Sequence, residues 1–380
     1  MKRYLALILV VVTVFSLVAC GGDGTSDGTV DTENGASTAS LSDTKKDPAE
    51  KDNGNASAVF DPEAEHLFLA TDIRNGGIVI FDLDACNGNY ELLKDDSVAV
   101  VWEWRASEDP NCVGNPGEGI DAAKLRYSSY YKKDVIIACS SAGWCGVIDY
   151  EARTVLWEYT VSGGGPHSVE MLPNGDLVIG VSGDAKKGSV RYVPLSAGET
   201  LPSHTLYSPS CHGLQWDPEN EVLWVLDYDE VYACTVSNPG TKRASLSRVK
   251  GSEDLFGDVD VSGHVLSPVY GQPGKYWVSA HKYLWQFDTD TGKLTRSYNR
   301  ASTLTRSNVK GVASFSDGTV IMTYGGLGTD TTYDWSSLGF RITTFEMSGG
   351  KIKQPKPKTT EVIFENREFY KVYPLSKEYQ

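Results

Sequence analysis

The feature that most constrains the fold of this chain is a short motif that recurs at a nearly constant distance. The motif centres on His167, His212 and His264, so the intervals run from 167 to 212 and from 212 to 264. The same position recurs 46 residues further on, at Lys310, and 46 residues before the first histidine, at Asp121. A period near four dozen residues, filled with short strands, is typical of a β-propeller.

Each period contains several predicted strands and the turns that separate them. A typical turn is PNGD at 173–176, and the second strands DVIIACS, EVLWVLD, KYWVSA and TVIMTY are rich in β-branched and aromatic residues. The region 66–105 supplies only three strands, and EFYKVYPL at 368–375 is a suitable missing innermost strand. We therefore predict an all-β, six-bladed β-propeller in which the C-terminal strand completes blade 1. A seven-bladed ring is the alternative.

The N-terminal region has the pattern of an exported lipoprotein. Residues 1–19 combine a basic start with a short apolar run, and they end in LVA before Cys20. We predict that 1–19 is a lipoprotein signal peptide and that Cys20 is lipidated, which would anchor the protein to a membrane from the extracytoplasmic side. The alternative is an ordinary signal peptide. Residues 20–57 lack aromatic residues and are predicted to form a flexible acidic tether, followed by the propeller domain at 58–380.

Charge and cysteine content limit the partners and the covalent links. The net charge of −15 argues against nucleic acid, because phosphate binding depends on clustered lysine and arginine. Apart from Cys20 there are six cysteines, an even number that favours disulfides in an exported chain. We predict the pairs Cys86–Cys112, Cys139–Cys145 and Cys211–Cys234, with free, buried cysteines as the alternative.

Three runs of sequence carry a resemblance to a known family. PHSVEMLPNGDLVIGVS, CHGLQWDPENEVLWVLD and GHVLSPVYGQPGKYWVSA resemble a family of exported bacterial six-bladed propellers related to WD40/YVTN and quinoprotein-like propellers. The family has no assigned function, so the resemblance implies the fold and no activity. This chain has Val265 where the family pattern has an aspartate after the histidine.

The predicted topology gathers the recurring position at one mouth of the central channel. The candidate ligand or catalytic residues there are Asp121, His167, His212, His264 and Lys310. Loops on the same face supply a secondary set, which is Asp72, Arg74, Trp144, Asp184, Asp227, Tyr228, His281, Tyr333 and Trp335. The last two belong to the long loop 325–339, whose glycines and aromatics suit a lid or a platform for sugar stacking.

The three histidines are open to three interpretations. They can hold adjacent blades in register through hydrogen bonds to loop carbonyls. They can bind a divalent metal, with Asp121 or Glu170 as an oxygen ligand, if their rings converge. One of them can act as a general acid or base, because imidazole titrates near neutrality.

Three functions compete on this basis. The leading hypothesis is a tethered propeller that binds a small polar ligand, most simply a glycan, at the mouth. The second is a carbohydrate-active lyase or hydrolase that uses the same histidines with or without a metal. The third is a scaffold for a protein partner. The sequence leaves open whether the protein is an enzyme and whether it has a cofactor.

Overall fold

The computed structural model describes part of the second of two units, Asn55–Gln380. The described residues are 66–117, 119–183, 188–256, 262–270, 272–281, 284–296, 308–315, 317–324, 339–344, 347–348, 351–352 and 358–377. The predicted signal peptide and tether, together with Cys20, Asp184, Tyr333 and Trp335, lie outside these ranges.

The described strands form six antiparallel sheets of blade type, and they follow the chain in order. Blade 1 contains β1 (Leu67–Asp72), β2 (Gly77–Asp82) and β3 (Val100–Arg105). Blade 2 contains β4 (Ala122–Ser128), β5 (Lys133–Cys139), β6 (Trp144–Asp149) and β7 (Thr154–Thr160). Blade 3 contains β8 (Gly165–Met171), β9 (Leu177–Ser182), β10 (Ser189–Val193) and β11 (His204–Tyr207).

The second half of the ring repeats this arrangement. Blade 4 contains β12 (Gly213–Asp217), β13 (Val222–Leu226), β14 (Glu230–Ser237) and β15 (Ser245–Arg248), with β16 (Asp254–Leu255) also pairing with β14. Blade 5 contains β17 (Val265–Pro268), β18 (Lys275–Ser279), β19 (Leu284–Asp288) and β20 (Lys293–Arg296). In blade 6, β21 (Val309–Ser314), β22 (Thr319–Tyr324) and β23 (Phe340–Thr344) precede the small hairpin β24 (Met347–Ser348) and β25 (Lys351–Ile352), and β26 (Lys358–Val362) is outermost.

The last strand closes the ring. Strand β27 (Phe369–Pro374) pairs with β1 and is the innermost strand of blade 1. The inner strands β4, β8, β12, β17, β21 and β27 contact one another in that order, and β27 contacts β4. The prediction of six blades closed by the C-terminal strand is confirmed, and the seven-bladed alternative is wrong. Closure in this way leaves β1 paired on both sides.

The hydrophobic core is divided among the interfaces between blades. Each of six buried clusters in the described residues joins two neighbouring blades. Between blades 6 and 1, the rings of Phe68, Phe81, Phe340 and Phe369 pack with centroids 4.7 to 5.5 Å apart. Burial of each of these aromatic side chains stabilises the folded state by roughly 1.5–3 kcal/mol relative to leaving it exposed. The ring is therefore held together by contacts that are repeated at every blade boundary.

Helices are few and short among the described residues. They comprise α1 (Asp96–Ala99) and 3-10 turns at Asp84–Cys86, Tyr90–Lys94, Ala106–Glu108 and Leu195–Ala197. None of these helices has the length and apolar character that crossing a bilayer requires.

The predicted disulfides are wrong, because all six cysteines of the described region are free thiols. Cys139 and Cys145 do lie opposite each other on β5 and β6, as the hairpin pattern predicts. Cys86 belongs to the cluster between blades 6 and 1, whereas Cys112 packs against the cluster between blades 1 and 2. The buried cysteines occupy apolar positions where a thiol packs as a small hydrophobic group, so the even count carried no information about pairing.

Candidate functional site

The five residues of the recurring position occupy equivalent places on the inner strands of blades 2 to 6. Asp121, His212 and His264 come directly before β4, β12 and β17. The backbone N–H of each donates to the last carbonyl of the neighbouring second strand, at Cys139, Leu226 and Ser279, with N to O distances of 2.8, 3.0 and 2.8 Å. The backbone hydrogen bonds of the blade therefore fix where each of these side chains begins.

The other two residues of the set lie on irregularities within their strands. The register of β8 with β9 shifts between Pro166 and Ser168, so His167 is the extra residue. The register of β21 with β22 shifts between Val309 and Gly311, so Lys310 is the extra residue. A β-bulge turns a side chain away from the ordinary alternation of a strand, and bulges are frequent beside functional sites.

Each of the three histidines makes the same kind of hydrogen bond to the backbone, and this bond fixes which ring nitrogen carries the proton. The Nδ1 atoms of His167, His212 and His264 lie 2.8, 2.9 and 2.7 Å from the carbonyl oxygen of the residue two positions earlier. A carbonyl oxygen only accepts, so Nδ1 carries the proton in each ring. In the neutral form, each Nε2 then has a free lone pair that can accept a hydrogen bond or take up a proton.

The structure brings the three imidazoles side by side. The ring centroid of His212 lies 4.5 Å from that of His167 and 4.9 Å from that of His264, with interplanar angles of 53° and 49°. His212 and His264 are nine-tenths buried, whereas the side chain of His167 is 20% exposed. The Nε2 atom of His167 lies 4.0 Å from Oδ1 of Asp121. His167 is therefore the histidine most open to a ligand, and it is the one beside the carboxylate.

Lys310 contacts the far end of the histidine row. Its Nζ atom lies 2.6 Å from Nε2 of His264 and donates to that lone pair. Both residues are buried, so this hydrogen bond forms in a region of low polarity.

Lys371 on β27 is a further mouth residue that the sequence interpretation missed. Its Nζ atom donates to the backbone carbonyls of His167, at 2.6 Å, and His212, at 2.7 Å. The side chain extends from blade 1 to blades 3 and 4, and it is completely buried. The available signal was the presence of this lysine in EFYKVYPL, the strand already assigned to complete blade 1.

Burial lowers the basicity of this whole group. Burial lowers the pKa of His167, and the charge of nearby Asp121 opposes that effect. The pKa of His212 is held well below its usual value by burial and by the neighbouring positive charges of His167, His264 and Lys371. The pKa of His264 is also held well below its usual value, by burial and by Lys310. At neutral pH the imidazoles are therefore mainly uncharged.

The two lysines of the mouth are affected in the same direction. Burial, followed by the charge of Lys371, lowers the pKa of Lys310 to about 7. Burial lowers the pKa of Lys371 to about 8. Both ammonium groups are consequently stronger acids than that of an exposed lysine, and both respond to any charge that enters the mouth.

A cavity of about 360 Å³ opens beside Asp121 and His167. Its polar lining comes from these two side chains and from Ser140 and Ser141, and its remaining lining is Ile73, Pro116, Gly119, Ala142 and Tyr370. The backbone N–H of Ser141 donates to Oδ2 of Asp121 and so fixes the carboxylate at the cavity wall. The cavity is of the size that encloses a small ligand.

Buried ion pairs fill the channel below the histidines. Glu170 accepts from Arg126, with Nε to Oε1 at 2.7 Å, and from Lys124, with Nζ to Oε2 at 2.9 Å. Lys124 also donates to Oε1 of Gln215, at 3.3 Å. The neighbouring cavity at this depth measures only about 10 Å³. A ligand in the mouth therefore cannot extend deeper into the channel. Glu170 is already paired with Lys124 and Arg126, and these cations would compete with a metal ion for its carboxylate.

The geometry of the histidines does not match a metal centre. In the part of the chain that is described, no three His, Cys, Asp or Glu residues are arranged to hold a metal ion. The lone pair of His264 that a metal would need already accepts from Lys310. Two buried lysines nearby would also repel a divalent cation.

Two members of the secondary set have structural roles. Asp72 accepts from the backbone N–H groups of Arg74, Asn75 and Glu368. Asp227 accepts from the hydroxyl of Ser208 and from the N–H groups of Ser210 and Tyr228. Both carboxylates are buried and fix the loops around the mouth.

The remaining described members of that set are dispersed. Trp144 is buried between blades 1 and 2, where it stacks on Trp104 and donates to Glu158. The prediction that its side chain lies at the mouth is therefore wrong. Arg74 and Tyr228 are about half exposed. The backbone carbonyl of His281 accepts from the backbone N–H of Asn308.

Comparison with known proteins identifies a family to which the chain is similar. No curated protein matches the chain at a significant level. The model of a family of unknown function, DUF6528, matches residues 100–356, which is more than half of the chain. The matched region includes the recurring residues from Asp121 to Lys310 but not β27. The chain therefore belongs to the DUF6528 family, whose function is unknown.

Proposed function

We propose that this propeller binds a small, hydroxyl-rich ligand, a sugar or a short glycan, in the mouth of its channel. The observation that carries the proposal is the cavity of about 360 Å³ beside Asp121 and His167. Ligand sites of this kind combine an apolar wall with a few fixed polar groups. Here the apolar wall includes Ile73, Pro116 and Ala142, and the polar groups come from adjacent blades.

The polar groups suit hydroxyl recognition. Asp121 is an acceptor held in place by the N–H of Ser141, and neutral His167 presents an Nε2 acceptor 4.0 Å from it. Sugar hydroxyls both donate and accept, so neighbouring acceptors and a serine hydroxyl can engage two or more of them.

Binding of an oligosaccharide panel, measured by calorimetry on the purified protein, tests this proposal. We expect saturable binding of at least one sugar and a loss of about tenfold or more in affinity for Asp121→Asn, because a charged acceptor becomes neutral. Asp288→Asn on blade 5 is the matched control and should leave affinity unchanged. The absence of saturable binding across the panel, or equal affinity for both variants, would contradict the proposal.

A carbohydrate-active enzyme is the second candidate, and the geometry of His167 favours it. Its Nδ1–H is anchored to the carbonyl of Gly165, its Nε2 lies near Asp121, and its lowered pKa keeps the ring neutral as a base requires. Products with a new unsaturated bond would identify a lyase, and new reducing ends alone would identify a hydrolase. Activity that persists unchanged in His167→Gln would contradict this role.

We also propose that the propeller acts from a membrane surface, anchored through a lipid on Cys20. The support is the basic start, short apolar run and LVAC sequence of the first 20 residues. Labelling cells with a radioactive fatty acid should mark the protein but not Cys20→Ser, and equal labelling of the two would contradict the anchor.

A further inference from the structure

We infer that the ligand carries a carboxylate, as a uronic acid does, and that the histidine and lysine side of the mouth binds this group. The inference rests on the proposed function and names the class of sugar that fits. The sugar hydroxyls would lie toward Asp121 and Ser141, and the carboxylate would lie toward His212.

The distribution of charge around the mouth supports this orientation. Five basic side chains converge from blades 1, 3, 4, 5 and 6, and they are Lys371, His167, His212, His264 and Lys310. Asp121, from blade 2, lies at one end of the row, next to His167. The opposite end is basic, although the whole chain has a net charge of −15. A cluster of basic side chains in an acidic protein favours an anionic ligand over other solutes.

His212 supplies the contact point. Its Nδ1 atom bonds to the carbonyl of Ser210 at 2.9 Å, and no described residue bonds its Nε2 atom. The side chain is nine-tenths buried between the rings of His167 and His264. A carboxylate oxygen would accept from Nε2–H once the ring takes up a proton.

Lysines beneath the imidazoles strengthen the attraction. Lys371 is held by the carbonyls of His167 and His212, and Lys310 is held by Nε2 of His264. Both ammonium groups are buried, so solvent screens their field weakly. A bound carboxylate would offset the mutual repulsion that these bases experience in the free protein.

Proton uptake on binding follows from this arrangement. His212 faces His167, His264 and Lys371, and His264 faces Lys310, Lys371 and His167. Lys310 faces Lys371, and His167 faces Asp121, Lys371 and Lys310. Lys371 faces Cys139, Asp121, Lys124 and Cys211. An entering anion raises the pKa of every base among them. The site then binds protons together with the ligand, so affinity increases as pH falls.

Calorimetry with matched sugar pairs tests the inference on the purified protein. The pairs are galactose with galacturonic acid and glucose with glucuronic acid, which differ in a carboxylate, and short oligomers of each. Titrations in buffers of different ionisation enthalpy measure the protons taken up. We expect the uronate to bind about tenfold or more tightly than the neutral sugar, with an affinity that rises by up to about tenfold per pH unit between about pH 8 and pH 6.

The outcomes separate this inference from the proposed function. Neutral sugars that bind as tightly as the uronates, or uronates that bind without proton uptake, would overturn the inference and leave sugar binding intact. Failure of both series to bind would overturn both.

Two variants locate the carboxylate. His212→Gln keeps a polar side chain of similar size, and we expect it to reduce proton uptake and to lose about tenfold of uronate affinity while neutral sugars bind within about twofold. Lys293→Met removes an exposed charge from blade 5 and should change neither. Equal losses for uronates and neutral sugars in His212→Gln would place the carboxylate elsewhere and overturn the inference.

Discussion

At the scale of single residues, hydrogen bonds from the histidine rings to the backbone determine the arrangement of the mouth. Each Nδ1–H is bound to the carbonyl two residues earlier, so the rings share one orientation and one tautomer. Their Nε2 edges then determine the chemistry of the site. Because these rings are buried beside lysines, they resist protonation, and this resistance affects folding as well as binding.

We predict that the domain loses stability as pH falls below the usual histidine range. A histidine whose pKa is lower in the folded state than in the unfolded state contributes stability that is present above about pH 6.5 and is lost as pH falls below it. The unfolded chain binds protons there that the folded chain excludes. Denaturant unfolding at several pH values should show a decline of up to about 1 kcal/mol per pH unit for each buried histidine.

Two histidine variants check the origin of this decline. His212→Gln should reduce the slope between about pH 6.5 and pH 5 by about 1 kcal/mol per pH unit, because one proton no longer distinguishes the two states. His204→Gln changes a histidine on β11, away from the mouth, and is the control. A slope that His212→Gln leaves unchanged would show that other groups cause the acid sensitivity.

The sequence predicted the recurring residues because they repeat at one position of each blade. It did not predict Lys371, since β27 lies outside the run of repeats and meets the histidines only after ring closure. It favoured disulfides and gave the free, buried cysteines only as the alternative. Whether two thiols form a bond depends on the positions and directions of their side chains, and a count of cysteines contains neither.

At the scale of strands, the mouth depends on irregular pairing. The shifts at His167 and Lys310 place one extra residue in β8 and β21. In β1, Ala70 faces Val372 and Asp72 faces Phe369, so the closing strand also has an irregular register beside Lys371. Runs of β-branched and aromatic residues predicted the strands, but an extra residue is recognisable only when the partner strand is known.

Gly311 allows the closing strand to approach β21, and we predict that Gly311→Ala destabilises the fold. An added Cβ would overlap the backbone nitrogen of Val372 and lie 2.8 Å from Cα of Lys371. Backbone atoms cannot move aside as side chains do, so we expect a loss of about 3 kcal/mol in the free energy of unfolding. Sugar binding should weaken as well, because Lys371 would be displaced.

Gly292→Ala is the comparison for that substitution. Nothing lies within 4 Å of its added Cβ, and only its φ of +64° opposes the change. We expect a cost of about 1 kcal/mol and no effect on binding. Equal losses of stability for the two variants would contradict the close approach at Gly311.

At the scale of the whole molecule, the ring is a closed set of equivalent interfaces. Each hydrophobic cluster joins two blades, so every blade depends on both neighbours. The periodicity of the sequence was sufficient to predict this architecture and its closure, because the missing strand of blade 1 had one suitable candidate. The mouth requires the same closure, since Lys371 reaches blades 3 and 4 from the last strand.

Removal of residues 367–380 should therefore abolish cooperative folding and the mouth together. The truncated chain would lose Phe369 from the cluster between blades 6 and 1, and it would expose the edge of β1, which favours aggregation. A circular permutant that places 365–377 before residue 66 restores the same pairing and should unfold cooperatively as the intact protein does. Circular dichroism melting and gel filtration measure both properties. A truncated chain that stays monomeric with an unchanged Tm would show that five complete blades and an open one suffice, and the argument that closure holds the ring and its site together would fail.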